Sequence, residues 1–202
     1  MSTDSRSNGR HSRGFMNNSL SSSNSPAIDE YLRSRIRDIP DFPKKGIVFR
    51  DITTLVADPE AFKKTIDAIY DRCRELNITK VVAIESRGFI FGSILAYRLG
   101  CGFVPVRKPS KLPYETVKKE YTLEYGTGTV EMHVDALSSD DNVLVIDDLL
   151  ATGGTLRATC DLVEQLGARI ACVAVVIELS FLGGQDRLED YNYFSLVRYD
   201  SE

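Results

Sequence analysis

Two adjacent carboxylates, Asp147 and Asp148, are followed after three residues by Thr152, Gly153, Gly154 and Thr155. The paired glycines let the chain curve tightly with its N–H groups facing outward, and the threonine hydroxyls add further donors, which is what a phosphate needs. Carboxylates beside that phosphate would repel it. Set a few ångströms away, they suit vicinal sugar hydroxyls or a sugar carrying developing positive charge; two acids ending a strand and capping a turn is the plainer alternative. From Leu156 the apolar positions Leu156, Cys160, Val163 and Leu166 follow helical spacing, with Gly167 as the stop. A helix starting there adds about 0.3–2 kcal/mol of dipole attraction for an anion at the turn. Donors for a phosphate next to acceptors for hydroxyls describe a sugar-phosphate site. Neither common nucleotide fingerprint fits: the turn lacks the Lys of GxxxxGK[ST], and the GxG at Gly126 precedes a strand.

The elements that must hold these residues follow from apolar patterning. Residues 143–146 are a short β-branched run that reads as a strand buried on both faces and ending at the acids, with residues 149–154 as the loop. Residues 81–84 form a second such strand, followed by Glu85, Ser86, Arg87 and Gly88 and a helical run over residues 91–99. Both units read strand, polar loop with Gly, helix. In an open parallel sheet both loops lie at the carboxyl ends of strands, where they converge on one ligand. Residues 103–106 are a third strand with a basic, proline-punctuated exit over residues 107–113, in which Lys108 and Lys111 serve either as a solvated surface or as anion ligands. Residues 121–125 and 129–134 alternate as two strands across Gly126-Thr127-Gly128 and predict a projecting hairpin flap. Near the start, Ser25-Pro26 opens a short helix, and the loop over residues 41–51 carries Phe42 and Phe49, fitted either to wall a flat ligand or to pin the loop to the core. Asp58-Pro59 opens a packing helix, residues 171–177 and 193–197 are further strands, and residues 182–188 hold a short turn with Gly183-Gly184. The sum is an α/β fold with a mainly parallel sheet flanked by helices.

Composition narrows the partners. The 202 residues carry a net charge of −4, with no Trp and no basic face of the kind duplex DNA demands, so nucleic acid is not expected. Four cysteines without a CxxC pair read as buried reduced thiols, which suits a cytoplasmic setting. No apolar run approaches the roughly 20 residues of a membrane span. Residues 1–25, rich in Ser and Asn, are expected to form a disordered tail, leaving residues 26–202 as a single domain.

The run VLVIDDLLATGGT resembles the phosphoribosyl-pyrophosphate motif of the type I phosphoribosyltransferases. Three further segments, DFPKKGIVFRD at Asp41, ESRGFIFG at Glu85, and KLP at Lys111 with LEYG at Leu123, resemble the branch of that family acting on adenine. The resemblance implies the family fold, with the base-recognition segment at the N-terminus and the hairpin as a lid. It implies transfer of phosphoribose from 5-phosphoribosyl 1-pyrophosphate to adenine, giving AMP and pyrophosphate. By that likeness, Ala151, Thr152, Gly153, Gly154 and Thr155 hold the 5′-phosphate, and Asp147 and Asp148 contact the ribose hydroxyls. Glu85, Ser86 and Arg87, in a loop expected to hold a cis peptide, meet the pyrophosphate together with Lys108 and Lys111. The backbone at Val48 and Arg50 reads the base. Glu124 handles the purine proton, Arg87 assists catalysis, and Tyr125 stacks or closes the lid. The likeness also implies Mg²⁺, bound mainly through the pyrophosphate with no assigned protein ligand, and a homodimer. A transferase for another purine and a non-catalytic binder of phosphoribosyl pyrophosphate remain as alternatives.

Overall fold

The computed structural model describes residues 26–122 and 126–202. The expected tail and the site candidates Glu124 and Tyr125 lie outside the described residues. Helix α1 (Pro26–Arg33) leads into a two-stranded antiparallel pair, β1 (Arg37–Ile39) and β2 (Phe49–Asp51), in register Ile39 to Phe49. A short helix α2 (Thr53–Ala57) precedes α3 (Pro59–Cys73), whose N-terminus is capped as its sequence predicts: the Asp58 carboxylate accepts from the amides of Glu60 and Ala61 at 2.9 and 3.0 Å. Then come β3 (Lys80–Ile84), α4 (Gly88–Leu99), β4 (Gly102–Val106), the antiparallel hairpin β5 (Thr116–Thr122) and β6 (Thr127–His133), β7 (Asn142–Leu150), α5 (Gly154–Gln165), β8 (Arg169–Leu179) and β9 (Tyr193–Tyr199). Two 3-10 turns, Ser180–Leu182 and Gly184–Leu188, lie between the last strands.

Five strands form one parallel sheet in the order β4-β3-β7-β8-β9. Its central strands read as continuous apolar runs because helices cover both faces. Alternate residues divide the core: Val81, Ala83, Leu144, Ile146 and Ala174 pack under the α1, α3 and α4 side, whereas Val82, Val143, Val145, Val173 and Val175 pack under α5 and the hairpin. Full burial of each valine, leucine or isoleucine among them is worth about 1.5–3 kcal/mol.

Strand order places the site. From β3 the chain crosses through α4 to β4 on one side, and from β7 it crosses through α5 to β8 on the other. The loops after β3 and β7 therefore leave neighbouring strands in opposite directions and open a crevice between them.

Several boundaries differ from expectation, among them the first hairpin strand, expected over residues 121–125 and found at Thr116–Thr122. Strand β7 does not end at the acids: Asp147, Leu149 and Leu150 pair with Val175, Ile177 and Glu178 of the long β8. A polar side chain at one face does not interrupt a ladder made by the backbone. In the hairpin, Tyr121 pairs with Gly128 and Thr122 with Thr127, so Thr127 and Gly128 belong to a strand and not to the turn. Gly128 belongs in the strand because the Tyr121 ring occupies its side-chain space, with Cζ 2.5 Å from where a Cβ would stand. The four cysteines are free thiols, three of them buried. No helix among the described residues is long and apolar enough to cross a membrane.

Candidate active site

A cleft of about 670 Å³ opens at the crevice between β3 and β7, lined by Glu85, Ser86, Arg87, Lys108, Lys111, Tyr121, Asp147, Asp148 and Thr155. It adjoins a smaller hollow of about 220 Å³ whose wall is the turn itself, with Ala151, Thr152, Gly153, Gly154 and Thr155. The two share Asp147, Leu149 and Thr155. The expected convergence of the two loops is present in a direct contact: Arg87 Nε lies 2.7 Å from Asp148 Oδ2, joining the start of α4 to the end of β7.

The acids sit where their charge is unfavourable. Burial pushes the Asp147 carboxyl well above the usual carboxylate range, and the neighbouring Asp148 charge pushes it further. Burial also raises Asp148, against the pull of the Arg87 guanidinium. Asp147 Oδ1 accepts from the Asp148 amide at 2.9 Å, which fixes its orientation. An acid pair whose charge is disfavoured, beside a turn that offers N–H donors, is the kind of arrangement found at functional sites.

The β3 loop is held from behind. The Glu85–Ser86 peptide is cis. Glu85 accepts from Arg107 Nε and from the Lys108 amide, both at 2.7 Å. Burial opposes ionisation of Glu85, but these two donors outweigh it and hold its carboxyl below the usual range. Its side chain is thus committed to fixing the basic exit from β4, while Lys108 and Lys111 face the cleft. Buried Glu131 steadies the same exit, its Oε2 accepting from the Ser110 amide at 3.3 Å, and the backbones of Arg107 and Glu131 bond reciprocally.

The segment at Val48 and Arg50 is linked to the cleft residue Arg87 through Phe49. The Arg87 guanidinium lies 5.3 Å from the Phe49 ring centroid, and Phe42 meets Phe49 edge-on at 5.2 Å. The Arg50 side chain points elsewhere: 6% exposed, it pairs with Asp38 at 2.5 Å and lies 4.0 Å from the Tyr199 ring centroid. Neither Val48 nor Arg50 is among the residues that line the cleft or the hollow beside it. Val48 lies just before β2, and Arg50 is paired within the ladder with Asp38 of β1.

The chain matches the phosphoribosyl transferase domain model over residues 51–201. A relative from Solidesulfovibrio magneticus named adenine phosphoribosyltransferase is 58% identical over 167 residues, 83% of this chain and 98% of its own length. The crystal structure of adenine phosphoribosyltransferase from Thermoanaerobacter pseudethanolicus superposes with a TM-score of 0.82 at 48% identity, covering 84% of this chain and 99% of that one. The yeast enzyme, complexed with an imino-altritol bisphosphate and adenine, gives 0.80 at 40% identity, over 84% and 98%. The chain belongs to the adenine phosphoribosyltransferase family.

For this member of the adenine phosphoribosyltransferases, the structure gathers Glu85, Ser86, Arg87, Lys108, Lys111, Asp147, Asp148 and Thr155 around one cleft and sets Ala151, Thr152, Gly153 and Gly154 around its neighbour. Two cleft-associated residues were not singled out from sequence. Arg107 is the charged partner of Glu85, and only its place beside Lys108 at a strand end hinted at that. Tyr121 lines the cleft and packs its ring against Gly154, 3.0 Å from where a Cβ would stand. In the sequence it reads only as the first residue of an alternating hairpin strand, with nothing to mark it for the cleft.

Among the described residues no group of three or more His, Cys, Asp or Glu side chains is arranged to hold a metal. Hard carboxylate oxygens at Asp147 and Asp148 do fit Mg²⁺ that arrives on substrate oxygens, since that ion keeps most of its shell from water and phosphate.

Proposed function

We propose that this chain transfers the phosphoribosyl group of 5-phosphoribosyl 1-pyrophosphate to adenine. The bond from C1 of the ribose to the pyrophosphate oxygen breaks, a bond from C1 to the imidazole nitrogen of adenine forms, and the proton on that nitrogen leaves. The observation that carries this reading is the Arg87–Asp148 pair, which brings the loop after β3 and the acids of β7 together at one cleft. The turn at residues 151–155 holds the 5′-phosphate through N–H groups and hydroxyls, and Asp147 and Asp148 hold the ribose hydroxyls. The acids also favour positive charge growing on the sugar, while Arg87, Lys108, Lys111 and the Ser86 loop favour negative charge growing on the leaving group. Mg²⁺, when bound on the pyrophosphate, neutralises part of that charge.

Adenine is read by the backbone of the segment at Val48 and Arg50, a role taken from the family likeness. A backbone C=O accepts from the exocyclic amine and an N–H donates to the adjacent ring nitrogen; hypoxanthine presents the reverse pattern and leaves both groups mispaired. Glu124 takes the purine proton and Tyr125 closes the lid, roles that rest on the family likeness alone. The likeness adds a homodimer and a cytoplasmic setting, checked by sedimentation and by cell fractionation.

The decisive measurement is conversion of labelled adenine with phosphoribosyl pyrophosphate and Mg²⁺. AMP and pyrophosphate are expected in equal amounts. Folded protein yielding no AMP overturns the activity, and equal use of hypoxanthine overturns the base assignment.

A further inference from the structure

The phosphate turn does not stand free. Gly184, buried at the start of the second 3-10 turn, lies so close that a Cβ there would sit 2.1 Å from the Ala151 carbonyl oxygen and 2.9 Å from the Gly153 nitrogen. The contact is reciprocal, since a Cβ on Gly153 would meet the Gly184 carbonyl oxygen at 2.5 Å. Backbone cannot swing aside as a side chain can, so a side chain at either glycine must displace the turn or the segment behind it.

That segment is anchored on α5, the helix whose first residues complete the turn. Leu188 is 1% exposed in the α5-side core. The Tyr191 hydroxyl donates to Glu164 at 3.0 Å, and Arg157 spans from Asp161 at 2.8 Å toward Asp190 at 3.7 Å. The turn and its brace are thus seated on one helix.

We propose that Gly184 is a positioning residue for the ribose 5-phosphate end of the substrate: its bare backbone sets where residues 151–153 sit, and hence where their N–H groups point. This rests on the reading that the turn holds the 5′-phosphate. Gly183 supplies the contrast. It has φ 65°, yet a Cβ there would meet only Asp186 Oδ2, at an ordinary 3.5 Å. Gly183→Ala therefore strains the brace without touching the turn, whereas Gly184→Ala, at a φ open to any residue, pushes on the turn itself.

The test is calorimetric titration of the full chain with ribose 5-phosphate and, separately, with magnesium pyrophosphate. A displacement approaching 1 Å in a preorganised site is worth up to about 10²-fold, so Gly184→Ala is expected to weaken ribose 5-phosphate by about tenfold or more. Pyrophosphate affinity stays unchanged. Gly183→Ala lowers Tm and leaves both affinities alone. Thr155→Val, in the turn itself, weakens ribose 5-phosphate; if it does not, the reading of the turn fails. If Thr155→Val weakens binding while folded Gly184→Ala binds normally, or if Gly183→Ala weakens it as much as Gly184→Ala, the positioning role alone fails. Should Gly184→Ala not fold, Leu188→Val loosens the brace without adding an atom at the turn. A selective loss for ribose 5-phosphate is again expected, and unchanged affinity overturns the proposal.

Discussion

Asp147 and Asp148 are held ionisable in a place that disfavours their charge, and this sets a sign for the pH dependence of stability. A carboxyl raised by burial binds its proton more firmly folded than unfolded. The destabilisation is absent below the unfolded value of 3.8 and grows as pH rises from there toward the higher folded value. Asp147→Asn removes the charge and keeps an oxygen for the Asp148 amide, so it is expected to raise Tm at pH 7, by roughly 2–4 °C for each kcal/mol relieved. The gain shrinks toward pH 4 and comes with loss of AMP formation. Equal Tm for both proteins across that range would refute the account. Glu85 runs the other way: held below its usual range, it stabilises the loop above its unfolded value and ceases to do so as pH falls through the folded one. Glu124→Ala belongs at this scale too. It is expected to lower turnover by about 10²–10⁴ with little change in KM for phosphoribosyl pyrophosphate; unchanged turnover would remove it from proton handling.

At the scale of elements, α4 approaches the sheet closely enough to aim Arg87 at Asp148. Gly92 permits this, since a Cβ there would stand 2.5 Å from the Ala83 Cβ and 3.2 Å from Ile146 Cγ2. Gly92→Ala is expected to cost about 1–3 kcal/mol by overpacking, read as a lowered Tm, and to reduce activity because the helix carrying Arg87 must back away. Ala83→Gly in the same chain should return part of both losses; no return would mean the approach is not the cause. Helices and strands themselves were largely legible, because runs such as residues 81–84 and 143–146 are apolar in both directions. What was not legible follows from pairing. The continuation of β7 through two acids depends on β8 beside it, β5 is a polar strand carried by β6, and β1 is three residues defined only by its partner. The glycines in Gly126-Thr127-Gly128 looked like a turn, but Gly128 serves a ring across the hairpin. Val48 and Arg50 were named only through family likeness, since no side-chain type marks a segment proposed to work through its backbone.

For the molecule as a whole, the site exists because strand order reverses between β3 and β7, a fact of pairing that no local pattern contains. The loops after β3 and β7 are separated by β4, the hairpin and their connections along the chain, yet Arg87 and Asp148 touch across the crevice. Asp148 has a side chain 6% exposed and Arg87 one 39% exposed, so the acid depends on the cation more than the reverse. If the two loops act as one site, their contributions to binding phosphoribosyl pyrophosphate cannot add. Arg87→Ala alone loses an anion contact and leaves Asp148 buried without its partner, which raises the cost of holding the ribose hydroxyls. Asp148→Asn alone leaves a weaker, neutral acceptor for the hydroxyls and frees Arg87 to turn toward solvent. The double variant suffers each loss but not the mispairing, so its affinity should exceed the product of the two single effects by a coupling of about 0.5–3 kcal/mol. Titration of the four proteins with phosphoribosyl pyrophosphate and Mg²⁺ measures it. Additivity within about 0.3–0.5 kcal/mol would mean that the loops contribute independently and that their contact at 2.7 Å does not couple them.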